Sequence, residues 1–168
     1  MARPGRRGAF AAGARERRPL NPDEVIRRLA LRAHPEGGFY AETFRSPLLL
    51  SLPDGRVRRA STAIHYLLPP DAWSAWHRVR SDEVWHHYDG GALSLYRLGM
   101  PTVRLDRDTP QTVVPAGVWQ AAEPLEGAVL CGCTVAPGFE FEDFELGSAE
   151  LLAEEFPADA ALIRRLAK

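Results

Sequence analysis

The chain has 168 residues, 45% of them hydrophobic, and a formal net charge of −1 at pH 7, which suits one domain with a buried core. Its longest apolar stretches, such as Leu48-Leu49-Leu50, fall far short of the roughly 20 residues a membrane span requires, so a soluble protein with no membrane partner is expected. The near balance of charge hides a division, because residues 1–20 carry +5 and the remainder −6.

Six arginines in residues 1–20 (Arg3, Arg6, Arg7, Arg15, Arg17 and Arg18) stand against Glu16, amid Gly and Ala. Such a segment has little to bury and is expected to be disordered. It reads as a solvated extension in preference to a nucleic-acid arm or an organelle-directing leader, so no nucleic-acid partner is expected. It lacks the apolar run of a secretory signal, so a cytoplasmic protein is expected.

Residues 21–168 read as one domain. Asn21 is an N-cap, Pro22 suits the first helical position, Asp23 and Glu24 favour the positive helix end, and Val25, Ile26 and Leu29 form an apolar stripe. The helix must stop before His34-Pro35, with Gly37-Gly38 beyond. From there the period changes. Short runs rich in β-branched and aromatic residues cover 39–46, 61–68, 73–79, 84–88, 92–98, 102–105, 111–114, 118–122 and 127–135, separated by Gly, Pro, Asp or Ser. Strands without intervening helices predict an all-β sandwich or barrel. Two helices close the chain, one capped by Ser148 and running through Glu155, the other from Ala158 to Ala167 with Leu162, Ile163 and Leu166 on one side. Phe139, Phe141 and Phe144 alternating with Glu140, Glu142, Asp143 and Glu145 read as a half-buried edge strand. Cys131 and Cys133 share one face of a strand and read as buried, reduced thiols.

Chemistry concentrates in Trp76-His77-Arg78-Val79-Arg80-Ser81-Asp82-Glu83-Val84-Trp85-His86-His87-Tyr88-Asp89-Gly90. A histidine near the end of one strand and a glutamate opening the next can converge inside a barrel. In Pro115-Ala116-Gly117-Val118-Trp119-Gln120 a tight turn brings Gln120 in from a third direction.

This stretch resembles the first cupin motif, with His77, Glu83 and Gly90 at the matching positions, and Pro115-x-Gly117-x-x-Gln120 resembles the second. Val79 and Gln120 stand where that pattern has histidine ligands. The chain is similar to the cupin 5 family, the domain of unknown function 985. The matching segments are His34-Pro35-Glu36-Gly37-Gly38-Phe39-Tyr40, Glu42-Thr43-Phe44-Arg45-Ser46, Thr62-Ala63-Ile64, Trp76-His77-Arg78, Ser81-Asp82-Glu83-Val84-Trp85-His86, Val113 to Gln120 and Val135-Ala136-Pro137-Gly138-Phe139. The resemblance implies an RmlC-like jelly roll, a double-stranded β-helix usually paired as a homodimer and related in shape to sugar-nucleotide epimerases; it implies no settled reaction. Ala41 replaces an arginine expected in that family.

A catalytic metal site normally has three good ligands. His77 and Glu83 supply two, Gln120 is a weak neutral third, and His87 joins Glu83 and Trp85 on one strand face. A divalent metal therefore stays open beside the preferred reading, a metal-free pocket in which His77 and Glu83 act as acid and base on a polar, sugar-like small molecule. Gln120, Tyr40, Glu42, Arg45, Trp85, His87 and Trp119 are the candidate substrate contacts. Alternation puts Tyr40 and Glu42 on one face and Arg45 on the other, so all three face inward only with a bulge. Arg45 either clamps a substrate anion or pairs with Glu42. His65 reads as a satisfied core histidine. An isomerase, epimerase or lyase leads, and a ligand-binding or sensor protein without chemistry is the rival.

Overall fold

Asn21 caps the first helix as its sequence predicts: its side-chain oxygen accepts from Glu24 N at 3.2 Å. The computed structural model describes residues 19–168. In chain order it has α1 (Pro22–Leu29), β1 (Arg32–Ala33), β2 (Phe39–Arg45), β3 (Leu49–Ser51), β4 (Val57–Arg59), β5 (Thr62–Leu68), β6 (Ser74–Val79), β7 (Asp82–Gly90), β8 (Leu93–Arg97), β9 (Met100–Leu105), β10 (Gln111–Val114), β11 (Gln120–Pro124), β12 (Val129–Ala136), β13 (Phe144–Leu146), α2 (Ala149–Glu155) and α3 (Ala160–Arg165). The Arg-rich segment lies outside the described residues except for Pro19 and Leu20, and Leu20 packs against the Val25 cluster. No helix among the described residues is long and apolar enough to cross a membrane.

Two antiparallel sheets face each other, ordered β1-β2-β5-β12-β7-β10 and β13-β6-β11-β8-β9, with β3-β4 as a separate hairpin. Their inner faces bury Tyr40, Tyr66, Leu68, Trp85, Leu93, Leu95, Leu105, Val114, Val129, Cys131 and Cys133 in one core. Each outer face has its own cover. α1 lays Val25 against Leu67 and Leu130 of the six-stranded sheet. The C-terminal helices lay Leu152 and Ile163, with Leu166 just beyond, against Trp76 and Ala121 of the five-stranded sheet and the adjoining Trp119. A fully buried side chain of this size contributes roughly 1.5–3 kcal/mol, so these helices hold their sheets through packing more than through helix propensity.

Three expectations need correction. The acidic aromatic segment is not one edge strand: Phe141–Asp143 form a 3-10 turn, and only Phe144–Leu146 pair, with β6. The cause is Asp143, which is pulled inward by Arg58, whose Nε and Nη2 donate to Oδ2 and Oδ1 at 2.6 and 2.9 Å. His65 is half-buried, with its ring edge-on to the exposed Tyr88, and is not a fully buried core histidine. The last helix is shorter than expected, beginning after a 3-10 turn over Pro157–Asp159. The short strands β1, β3 and β4 were not anticipated; Pro53-Asp54-Gly55 makes the turn between the latter two.

Candidate functional site

A cavity of about 110 Å³ opens between the sheets beside the Phe139–Phe144 segment. β2 contributes Tyr40, Glu42 and Arg45, β5 Thr62 and Ile64, β6 His77 and Val79, β7 Glu83, and β12 Cys133 and Val135. Arg32, His34, Glu36, Phe139, Glu140, Phe141 and Phe144 complete the lining.

The bulge that the sequence requires for Tyr40, Glu42 and Arg45 to share a face is present. Glu42 pairs with Ile64 and Phe44 with Ala63, so Thr43 is the extra residue and the alternation slips by one. Arg45 then turns inward, where Nε and Nη2 donate to the two oxygens of Glu42 at 3.0 and 2.7 Å and Nη1 donates to Glu140. Of the two roles open to Arg45, the structure shows the ion pair.

His77 sits on β6 opposite Gln120 of β11 and Leu146 of β13. Its Nδ1 lies 2.8 Å from the carbonyl oxygen of Ala75. A carbonyl only accepts, so Nδ1 carries a proton and Nε2 faces the cavity. Glu83 opens β7 and is 7% exposed. Its Oε2 accepts from the Gln120 amide at 2.6 Å, and the Gln120 oxygen accepts from Trp85 Nε1 at 2.9 Å. Burial pushes the Glu83 carboxyl above the usual glutamate range, with Glu36 adding to the effect and His77, Gln120 and Cys133 opposing it.

Two further site residues, His34 and Glu36, come from a loop that reads as a plain turn. The loop is closed by His34 N to Gly38 O and Gly37 N to His34 O, both at 3.1 Å. Gly37 has φ 124°, and a Cβ there would lie 2.0 Å from the Trp73 carbonyl oxygen, so the turn needs glycine. Its carbonyl neighbour docks too: Ala75 N donates to Glu36 O at 2.8 Å, tying the loop to β6. This geometry drives Glu36 inward, where Oε1 accepts from Ser74 Oγ at 2.9 Å and Oε2 lies 3.4 Å from both His34 Nδ1 and His77 Nε2. Burial holds the His34 imidazole below the usual histidine range, against the pull of Glu36.

Four expected contacts do not line the cavity. Gln120 is fully buried behind Glu83, and Trp85 belongs to the inner core. Trp119 packs in the outer cluster, with the Arg78 guanidinium 4.5 Å above its ring. His87 shares the buried face of Glu83 and Trp85, but lies four residues along the strand, about 13 Å away at the usual rise, where Nε2 meets Gly91 O at 2.8 Å.

The family model of the cupin superfamily described as cupin 5, DUF985, matches residues 23–147. The chain belongs to this cupin family. A Shewanella oneidensis protein of solved structure, SO0799, is 34% identical with a TM-score of 0.81, covering 89% of this chain and 98% of its own. The Saccharomyces cerevisiae protein YML079W, itself uncharacterized, is 28% identical over 89% of this chain and 87% of its own. A Klebsiella pneumoniae protein with a double-stranded β-helix domain, 15% identical at TM-score 0.53 over 79% of this chain and 99% of its own, shares the fold.

The donor set of this cupin does not suit a metal held by His77, Glu83 and Gln120. The Gln120 oxygen is turned away to Trp85, so the amide presents N–H groups towards Glu83, and Val79 offers no lone pair. Among the described residues, no three His, Cys, Asp or Glu side chains converge as a metal site.

Proposed function

We propose that this cupin is a small-molecule enzyme of the isomerase, epimerase or lyase type, moving a proton on a polar, sugar-like metabolite with His77 and Glu83. The observation that carries the reading is the placement of Glu36 Oε2 at 3.4 Å from His77 Nε2, in the cavity that also holds the raised Glu83 carboxyl.

His77 is oriented for such work by Ala75, which leaves Nε2 as the nitrogen that takes or returns the proton. Glu36 stabilises the imidazolium that forms. Glu83 keeps its proton to higher pH than an exposed glutamate; because Oε2 accepts from Gln120, that proton belongs on Oε1. One group takes a proton and the other gives one, the pairing that isomerisation and elimination need. His77→Ala and Glu83→Gln should each abolish turnover while the fold survives, and an active double variant would sink the proposal.

The rival reading, ligand binding without chemistry, is favoured by Val79 and Gln120 in place of metal-binding histidines; there the same variants change affinity alone. We read the protein as a cytoplasmic homodimer. The buried free thiols Cys131 and Cys133 support a reducing compartment, and the open edges of β10 and β9 are the physical motive for pairing. Light scattering on the purified chain tests the dimer.

A further inference from the structure

We infer that the ligand of this cavity is rich in hydrogen-bond donors and carries no anionic group, a polyhydroxylated ring being the simplest case. The inference deepens the small-molecule reading above and rests on it.

The first observation is charge. Four glutamates line the cavity, Glu36, Glu42, Glu140 and Glu83, the last in the proton-giving role proposed above, against two guanidiniums, Arg32 and Arg45. Arg45 has no charge to spare: Glu42 takes it in two bonds, Glu140 takes Nη1, and the Phe139 carbonyl lies 3.4 Å from Nη2. At Arg45 an incoming carboxylate or phosphate would have to displace a glutamate already in place and approach the others. Arg32 lies at the mouth with its guanidinium carbon 4.9 Å from the centre of the Tyr40 ring.

The second observation is the sign of the hydrogen-bonding groups. An ionised carboxylate only accepts, and four of the five Arg45 N–H groups are taken by Glu42, Glu140 and the Phe139 carbonyl. A ligand that pairs with Glu42, Glu140 or Glu36 must therefore supply O–H or N–H groups. The third is the apolar wall. Phe139, Phe141 and Phe144 cluster with ring centres 5.1–6.3 Å apart, and Tyr40, Ile64 and Val135 join them around the cavity. An apolar aromatic wall of rings set edge-on to one another, with acceptors beside it, suits a ring whose own faces are C–H and whose rim is hydroxyl.

Galactose, galactosamine and galacturonate form a matched test on one ring. At about pH 6.5 the amine is protonated and the acid ionised. Calorimetry on the full chain should find galactose and galactosamine bound at least tenfold more tightly than galacturonate. Glu140→Ala, which leaves Arg45 Nη1 without its partner, should then raise galacturonate affinity severalfold. Galacturonate binding as tightly as galactose, or no binding by any of the three, overturns the inference. Galactose bound but never converted would remove the acid–base reading and leave this one standing.

Discussion

The indole Nε1–H of Trp85 donates to the side-chain oxygen of Gln120 at 2.9 Å, and the Gln120 amide donates in turn to Glu83 at 2.6 Å. An indole nitrogen can only donate, so this first bond dictates which way the amide faces. Gln120 therefore sits buried behind Glu83 and outside the cavity lining, at the position where the cupin pattern has a histidine.

Gln120→Leu keeps most of the side-chain volume and removes both bonds, leaving the Trp85 N–H buried without a partner and the Glu83 carboxyl without its amide donor. Each lost partner costs about 1–3 kcal/mol, so urea unfolding should show a loss of about 2–6 kcal/mol. A loss below about 1 kcal/mol would mean that the chain from Trp85 to Glu83 is not formed.

Glu83→Gln should change the dependence of stability on pH with a defined sign. The folded Glu83 carboxyl is raised by burial, so it keeps its proton after the unfolded one has lost it. Below the ordinary glutamate range both states are protonated and the carboxyl costs nothing. As pH rises, wild-type stability falls relative to the variant, by at most about 1.4 kcal/mol per pH unit, until the buried group also ionises. Unfolding of both proteins between about pH 4.5 and 8 measures the difference, since shared groups cancel. A gap that stays flat, or that narrows with rising pH, would contradict a raised Glu83.

The strands and caps were legible because their signals are local. Asn21 and Ser148 cap their helices, and the period-two runs lie where β2, β5, β6, β7 and β12 form. His77 and Glu83 were legible as a pair because strand alternation aims both inward. Glu36 was not: a glutamate between proline and two glycines has the composition of a solvated turn, and only the docking of its carbonyl on Ala75 N carries it inside. The direction of Arg45 was open because a single extra residue, Thr43, decides it. His87 was placed on the right face but at the wrong depth, since alternation fixes sides and not distance along a strand.

Metal content follows from Val79 and Gln120. Elemental analysis of the untagged wild type is expected to give well under one transition-metal ion per chain. The double substitution Val79→His, Gln120→His restores both imidazoles of the cupin pattern beside His77 and Glu83, and it should raise uptake towards one ion per chain. Near-stoichiometric metal in the wild type that disappears in His77→Ala would show instead that His77 is a ligand, and would redirect the chemistry to a bound cation.

Glu36→Gln tests the group that sequence reasoning missed, by a readout independent of substrate. Glu36 raises the pKa of His34 and that of Glu83 through its charge, so neutralising it should move both titrations down. His34 falls further below the usual histidine range, while Glu83 returns towards the usual glutamate range. The size is kept, and Ser74 Oγ retains an acceptor in the glutamine oxygen, so the fold should persist. Ring-proton and carboxyl-carbon NMR titrations of the two proteins report the movements separately. If neither resonance moves, Glu36 does not bear on the site, and the proton pathway must be argued from His77 and Glu83 without it.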